Sequence, residues 1–296
     1  MNSDDFTEKR TIGLIRLLWL MALFSCTPIN AEVADAQLKG AFSKGRFVMP
    51  DTDELKQVRR AFQLELAGQS ADEVWDALAM QRISKPQALY FREAKSSRTG
   101  RGLFAIGSGA RVKPWLLQAP HAKSDKFTGR IVAQIFSEGA FKAAMWNSVP
   151  RKTRMENAVV ERTADMAHLP GTYWQAVTES FARYYGGGKI IQFHGFAQSK
   201  RKSAVGRHSD MILSAGHQYP PLWVRESAQC LKKSLPAKIS LYPYDVKELG
   251  ATTNVQGHVL QNLGFNGFLH IEMSLQLRQQ LLQRQDLRQL LLSCIR

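Results

Sequence analysis

Residues 189–195 read Lys189-Ile-Ile-Gln-Phe-His194-Gly195, and this run indicates what kind of fold the chain adopts. It is a short apolar segment that follows Gly186-Gly-Gly188 and ends in a histidine and a glycine, which is typical of a buried β-strand. Comparable strand-like runs cover residues 88–93, 102–106, 115–119, 211–214, 239–242 and 268–272. The spacing of apolar residues predicts helices over 51–69, 71–80, 129–144, 171–185 and 275–292. Strands that alternate with helices predict an α/β fold, in which a mixed, partly parallel sheet is flanked by helices.

The N-terminus has the pattern of an export signal. Lys9, Arg10 and Arg16 precede an apolar run over residues 17–25, and that run is too short to cross a bilayer, which takes about 20 apolar residues. We therefore predict a signal peptide over residues 1–31, cleaved either before Cys26, as in a lipoprotein, or after Ala31; an uncleaved membrane anchor is the alternative. The expected location is the cell envelope or periplasm of a bacterium, with membrane attachment if Cys26 is lipidated.

The remaining chain has the composition of an ordinary globular protein with a basic surface. Residues 32–84 are expected to form an N-terminal linker, extended to about residue 50, and then helices, while residues 85–296 form the main domain. The net charge is +15, but the basic residues are scattered and no helix carries a basic stripe interleaved with aromatic residues. We therefore expect no nucleic-acid partner, and the sequence leaves the oligomeric state open.

The chain contains three cysteines, Cys26, Cys230 and Cys294. If Cys26 is lipidated or removed with the signal peptide, the other two could form one disulfide in an oxidising compartment. Two free, buried thiols are the alternative. The sequence has no Cys-x-x-Cys pair, so a cysteine-based zinc site is not supported.

Two histidines follow predicted strands and could bind a metal ion. His121 comes directly after Pro120 at the end of a strand-like run, and Asp125 lies four residues further on. His194 ends the strand quoted above and is followed by Gly195. Because ligands of α/β sheets gather at the carboxyl ends of the strands, we expect these side chains to meet there, and neutral imidazole and carboxylate suit Zn²⁺. The alternatives are a capping Asp125 with an ordinary surface His121, and a His194 that only forms structural hydrogen bonds.

A carboxylate ends a third strand-like run. Glu272 closes the apolar stretch that begins at Phe268, where a buried charge is costly unless it has a purpose. As a general base, Glu272 would take a proton from a zinc-bound water and pass it to the leaving amine. The alternative is a first-turn or N-cap glutamate of the terminal helix. In a regular strand His270 shares its face, which makes His270 a candidate neighbour.

These motifs, taken in chain order, resemble those of a known family. Pro120-His121 with a nearby acid, a strand ending in His194-Gly195, and a strand ending in Ile271-Glu272 before a C-terminal helix resemble the N-formylglutamate amidohydrolase family. The chain also looks related to phage poly-γ-glutamate hydrolases and, more distantly, to zinc carboxypeptidases. The resemblance spans roughly residues 85–290.

The resemblance implies a mixed sheet flanked by helices that holds one zinc ion. It implies His121, His194 and Asp125 as metal ligands and Glu272 as the catalytic base. The sequence departs from zinc carboxypeptidases in its spacing, because they have His-x-x-Glu where this chain has His-x-x-x-Asp. The usual glycine-rich stretch after the first histidine is replaced by Ala122-Lys-Ser124, so the loop that carries Asp125 must differ.

A polar segment after residue 146 is expected to recognise the substrate. Asn147, Arg151 and Arg154 could bind a free carboxylate, since an arginine binds a carboxylate through two parallel hydrogen bonds; a solvated loop is the alternative. Asp165 and His168 could support the site from behind the ligands or form a plain intrahelical pair. The turn over residues 250–254 is expected to line the cleft.

The sequence thus predicts an exported, zinc-dependent hydrolase of amide bonds with Zn²⁺ as its cofactor. Its substrate is expected to be an N-acyl amino acid, a γ-glutamyl or other peptide, or a cell-wall fragment with a free carboxylate. The alternative is a catalytically inactive envelope protein of the same fold that binds an acidic polymer through its positive charge. A serine hydrolase is disfavoured because the sequence has no Gly-x-Ser-x-Gly motif.

Overall fold

The computed structural model describes residues 28–43, 45–109, 112–156 and 162–296. Within these residues the strands are β1 (Met80–Lys85), β2 (Ala88–Glu93), β3 (Leu103–Gly107), β4 (Lys113–Ala119), β5 (Phe141–Trp146), β6 (Lys189–Gly195), β7 (Met211–Ser214), β8 (Ile239–Leu241) and β9 (Phe268–Met273). The α-helices are α1 (Pro28–Ala41), α2 (Thr52–Leu66), α3 (Asp72–Ala77), α4 (Thr128–Glu138), α5 (Tyr173–Tyr184), α6 (Ala204–His208), α7 (Leu222–Ser234), α8 (Val255–Asn262), α9 (Leu275–Gln283) and α10 (Gln285–Cys294).

All the described strands belong to one mixed sheet, in the order β1-β2-β3-β5-β4-β6-β9-β7-β8. The central strands β5, β4, β6 and β9 run parallel to one another. Antiparallel pairs flank them, with β1, β2 and β3 on one side and β7 against β9 on the other. This arrangement confirms the predicted α/β fold with a mixed, partly parallel sheet.

Helices cover both faces of the sheet, because its central strands are apolar on both sides. Side chains alternate along each strand, so Leu116 and Ile190 face one core while their neighbours Leu117 and Ile191 face the other. Helices α2, α3, α5 and α8 pack on the first face, and α1, α4, α7, α9 and α10 pack on the second. The site described below lies at the carboxyl ends of the central strands.

The predicted helix over residues 129–144 is wrong in its second half. Helix α4 ends at Glu138, and β5 then inserts between β3 and β4. Gly139 makes this turn possible, since a Cβ at that position would lie 2.1 Å from the ring of Phe141. Apart from the partly buried Lys142, the side chains of β5 are buried on both faces, and a mainly apolar run of this kind does not distinguish a helix from a buried strand.

Three other predicted segments need correction. The expected linker over residues 32–50 is largely helix α1, which buries Ala34 and Leu38 in the core. The expected helix over 71–80 ends at Ala77, and β1 forms a hairpin with β2 across the predicted domain boundary at residue 85. The terminal helix is two helices, because Arg284 has extended backbone angles (φ −114°, ψ 107°). In each case tertiary packing decided what local propensity left open.

The predicted signal peptide falls mostly on residues 1–27, so the lipidation of Cys26 and cleavage before it lie outside the described residues, whereas the alternative cleavage site after Ala31 lies within α1. In the part of the chain that the structure does describe, we find no helix with the length and apolar character needed to cross a membrane. Cys230 and Cys294 form a disulfide that joins α7 to α10, which decides between the two alternatives left by the sequence.

Candidate metal centre

Three parallel strands bring the predicted chemical groups to one edge of the sheet. His121 lies two residues beyond the end of β4, and His194 lies in β6 at a position paired with Glu272 of β9. All three side chains are buried, with 2%, 4% and 8% of their surface exposed. The structure therefore brings together the side chains that the sequence placed at strand ends.

Asp125 is the point at which the two histidines converge. Its Oδ2 atom lies 3.2 Å from Nδ1 of His121 and 3.7 Å from Nδ1 of His194. The backbone N–H of Gly195 donates to the same oxygen at 3.0 Å. The two imidazole rings have centroids 4.8 Å apart and are nearly perpendicular. Both Nδ1 atoms thus face one carboxylate oxygen.

The other nitrogen of His121 is held by a second carboxylate. Nε2 of His121 donates to Asp165 Oδ1 at 2.7 Å, and Arg151 donates to the other oxygen of Asp165 at 2.6 Å. A carboxylate behind a histidine in this way fixes the orientation and the tautomer of a metal-binding imidazole. The predicted intrahelical pair of Asp165 with His168 is wrong, because residues 165–168 form an irregular turn.

The tautomer of His194 follows from a chain of hydrogen bonds. The backbone N–H of Gly257 donates to Asn254 Oδ1, so the Asn254 amide nitrogen faces Gln192 and donates to its Oε1 atom. Nε2 of His194 lies 2.9 Å from this same Oε1. Because the oxygen can only accept, Nε2 carries the proton, and the lone pair of His194 is on Nδ1, the atom that faces Asp125.

His270 and Glu272 supply further donor atoms beside His194. The rings of His194 and His270 have centroids 4.6 Å apart, and Nε2 of His270 lies 3.8 Å from Glu272 Oε1. Nδ1 of His270 and Oε2 of Glu272 are both buried and have no hydrogen-bond partner among the described residues. Unpartnered polar atoms are costly inside a protein, so this pair needs a further group to satisfy it.

Burial and neighbouring charges shift the pKa values of these groups in different directions. Burial lowers the pKa of His194 well below its ordinary value and that of His270 to about 3, so both imidazoles are neutral. Burial also opposes the charge on His121, but hydrogen bonds to Asp125 and Asp165 outweigh it and raise its pKa. Burial, with the charge of Asp125, raises the pKa of Glu272 to about 8.

The donor atoms fit a divalent metal ion. Two sets of three, His121 with Asp125 and His194, and His194 with His270 and Glu272, each have ligand atoms within 4.8 Å of one another. Imidazole and carboxylate are the ligands that Zn²⁺ prefers after cysteine. Buried donor atoms without partners, beside imidazoles held in their neutral form, also fit a cation.

These groups line a crevice of about 310 Å³, called here the central crevice. The loop over residues 249–254, which contains the predicted turn over residues 250–254, also lines this crevice, together with the exposed His168. Leu249 and Ala251 in this loop have positive φ angles of 60° and 53°, which non-glycine residues rarely adopt. Backbone strain of this kind is concentrated at functional sites.

The three predicted substrate-binding residues have different environments. Arg151 lines the central crevice and is partly exposed. Asn147 is 1% exposed, and its side chain bonds to the backbone of Ala164 and Val149. Arg154 is exposed and lies on a β-bridge with residue 163. The structure therefore brings Arg151 to the crevice, but not Asn147 or Arg154.

Sequence reasoning missed the polar residues behind the histidines. Gln192 and Asn254 fix the tautomer of His194, and Gln192 also donates to Gln118 in the neighbouring strand. Gln118 and Gln192 are fully buried in apolar strands. An amide in the middle of an otherwise apolar strand was the signal that could have identified them, since buried polar groups need partners.

No protein-family model and no curated protein matches the sequence. Solved structures similar to the chain include an N-formylglutamate amidohydrolase from Ralstonia eutropha JMP134, with 13% identity and a TM-score of 0.43. The match covers 66% of this chain and 96% of the amidohydrolase chain. They also include a metallo-carboxypeptidase from Burkholderia cenocepacia, with 11% identity and a TM-score of 0.39, over 78% of this chain and 67% of its own. Both are likenesses of fold alone.

Proposed function

We propose that the protein is an exported, zinc-dependent hydrolase that cleaves amide bonds in a peptide-like substrate with a free carboxylate. An N-acyl amino acid, a γ-glutamyl peptide or a cell-wall fragment would meet this description. One observation carries the proposal: Nδ1 of His121, Nδ1 of His194 and Oδ2 of Asp125 lie together, while each Nε2 is bound to another acceptor. Two imidazoles and a carboxylate are a donor set of catalytic zinc sites, which keep one position open.

A zinc ion held by these three residues would supply Lewis-acid chemistry, since it polarises an amide carbonyl and lowers the pKa of water. The protein's own contribution is to hold the ligands in place. Asp165 fixes the ring of His121 and Gln192 fixes the ring of His194, so the two Nδ1 atoms share one direction. The Nδ1 proton of His121 must leave when a metal binds, so binding is expected to release a proton.

Glu272 is the group best suited to move a proton in the reaction. Its carboxyl lines the central crevice, and Oε2 has no partner among the described residues. A pKa of about 8 would keep it protonated at neutral pH, but a cation nearby would lower that pKa and ionise it. Glu272 would then accept a proton from the attacking water and return it to the leaving amine.

Arg151 is the candidate for binding the substrate carboxylate. Its side chain is 39% exposed and lines the central crevice, and one of its nitrogens is held by Asp165. That bond holds one side of the guanidinium at the wall of the crevice. An arginine fixed in this way can bind a carboxylate through two hydrogen bonds.

Export to the bacterial envelope or periplasm is part of the proposal. The Cys230–Cys294 disulfide supports it, because disulfides persist mainly in oxidising compartments. The N-terminal pattern of basic residues followed by an apolar run supports it too, with lipidation at Cys26 or cleavage after Ala31 as the two routes.

The test combines metal content with turnover. Purified protein should contain about one zinc ion per chain. His121→Ala should release the metal, while Glu272→Gln should retain it and lose hydrolysis of the substrate. His208→Ala is the matched control, because His208 is exposed and bonds only to the backbone of Ala204 among the described residues.

The substrate screen should include N-acyl amino acids, γ-glutamyl peptides and muropeptides, each with and without a chelator. If His121→Ala retains as much zinc as the wild type, the proposed centre is wrong. If the wild type holds zinc but cleaves nothing in the screen, the alternative of an inactive binding protein is favoured.

A further inference from the structure

A second cavity of about 530 Å³ opens from the central crevice. The two share Asp125, Arg151, Gly195, Leu249 and Glu272, so they meet at the candidate metal centre. Away from this junction, the second cavity is lined by four cationic side chains. We call these four residues the basic arm: Lys126, Lys200, Arg201 and Arg278.

Arg278 is a buried cation that forms no ion pair among the described residues, although the charges of Asp125 and Glu272 are close enough to act on it. It is 6% exposed, and its hydrogen bonds go to backbone carbonyls of Lys126 (2.5 Å), Ser274 (3.3 Å) and Phe196 (3.5 Å). These bonds use three of the five N–H groups of a guanidinium. A buried charge is normally paired, so the remaining donors of Arg278 are suited to an anion.

Gly195 joins this arginine to the metal centre. A Cβ at position 195 would lie 2.4 Å from Cζ of Arg278 and 2.5 Å from Nη1, so only glycine allows the guanidinium to lie there. The N–H of the same Gly195 donates to Asp125. The guanidinium therefore packs against the backbone that follows His194, within the wall shared by both cavities.

The other cations of the basic arm are weakly compensated. Lys126 lies 4.9 Å from the ring of Phe127, and neither Lys126 nor Lys200 forms an ion pair with a described carboxylate. Arg201 has one, Glu248, at 3.6 Å. The basic arm thus carries a surplus of positive charge. The loop over residues 249–254, by contrast, has no charged side chain.

We propose that the basic arm is a subsite for an anionic group of the substrate, in the cavity that adjoins the central crevice at the candidate metal centre. This inference rests on the proposed function, and it adds a second anion-binding point to Arg151. The group is a carboxylate or a phosphate, because both match the donors of arginine and lysine. Substrates should extend past the metal centre rather than end at it.

The experiment measures binding of three capped tripeptides that differ only in the middle residue, which is glutamate, glutamine or phosphoserine. They are titrated by calorimetry into zinc-treated Glu272→Gln protein, in which turnover is blocked. On this background Lys200→Glu is compared with Lys202→Glu, which changes the charge equally two residues away, on an exposed side chain that does not line the arm.

We expect the glutamate peptide to bind about tenfold more tightly than the glutamine peptide, and less so at high salt. Lys200→Glu should abolish the difference, and Lys202→Glu should preserve it. Still tighter binding of the phosphoserine peptide would identify phosphate as the preferred anion. Equal binding of all three peptides, or an equal effect of the two substitutions, would overturn the subsite.

Failure of this inference and failure of the proposed function give different results. The binding comparison needs no catalysis, so a charge preference that depends on Lys200 would stand even if the protein held no zinc. If instead the protein hydrolysed its substrate in a zinc-dependent way but bound all three peptides with equal affinity, the proposed function would stand and the subsite would be refuted.

Discussion

Replacing Asp165 by alanine tests whether His121 is oriented for metal binding. The Asp165 carboxylate accepts from Nε2 of His121 at 2.7 Å, and the imidazole is 2% exposed. A hydrogen bond to a charged group contributes about 1.5–3 kcal/mol when it is shielded from water. The bond between Asp165 and Arg151 adds little, because the arginine side chain is 39% exposed.

We expect Asp165→Ala to weaken zinc binding by about 10- to 100-fold, the range found when the group behind a ligand is removed. Asp165→Asn keeps an acceptor but loses the charge, so its effect should be near the lower end. Affinity is measured by competition with a chromophoric chelator at constant pH. Asp76→Ala is the control, because Asp76 is an exposed acid of α3.

The reasoning would be refuted if Asp165→Ala bound zinc as tightly as the Asp76→Ala control. His121 would then need no support from behind, and Asp165 would serve Arg151 alone. If both Asp165 variants bound zinc equally weakly, the charge of the carboxylate rather than its shape would be the decisive property.

Three further predictions concern stability and the site. The folded-state pKa of Glu272 is raised from 4.5 to about 8, so its contribution to stability is complete below pH 4.5 and is lost as the pH rises towards 8. Glu272→Gln should therefore become more stable than chelated wild type across this range, by on the order of 5 kcal/mol at most. Urea titrations at pH 5 and 8.5 that show no such gain would contradict this prediction. Replacing Cys230 and Cys294 by alanine should cost about 4 kcal/mol in urea, because the disulfide spans 64 residues, and a loss below about 1 kcal/mol would count against it. Gly195→Ala should cost about 1–3 kcal/mol and weaken zinc binding, since its methyl group overlaps a guanidinium, whereas Gly187→Ala meets open space and should do neither.

The strands β4, β6 and β9 could be predicted because their ends can be recognised in the sequence. The apolar runs of β4, β6 and β9 each lead to a histidine or a glutamate at or just beyond the end of the strand, and the turn signals around them are strong. Parallel pairing then follows from the alternation with helices. His194 and Glu272 pair in the sheet register, so their proximity was implied once both strands were assigned.

Strand β5 could not be predicted, because it has no alternation to read. Both of its faces are buried, and Phe141–Trp146 therefore shows neither helical nor strand periodicity. Its identity depends on where β3 and β4 lie, which is tertiary information. Helix α1 also depends on tertiary information, because its apolar side chains are buried in the same core as those of α4.

The contacts behind the histidines could not be predicted for a related reason, although the sequence offered Asp165 as a candidate support and Asn254 as part of a turn lining the cleft. Asp165 is 44 residues from His121, Asn254 is 62 residues from Gln192, and the two lie in irregular segments. Loop conformation is not encoded in a periodic pattern, so no spacing rule connects these residues. What the sequence did offer was their chemistry, since a buried amide or carboxylate must find a partner.

The spacing of His121 and Asp125 allows their two side chains to meet. The segment from His121 to Asp125 is a helical turn, in which the backbone N–H of Asp125 donates to the carbonyl of His121 at 2.8 Å. Residues four apart lie on the same side of such a turn, so the carboxylate returns to the imidazole at 3.2 Å. The shorter aspartate compensates for the longer spacing. His-x-x-x-Asp is therefore a workable donor pair here, and Asp125→Glu should place its carboxylate beyond Nδ1 of both histidines and weaken zinc binding as much as Asp125→Ala does. If the glutamate variant bound zinc as tightly as the wild type, the prediction would be wrong, because the turn would then adjust to the longer side chain.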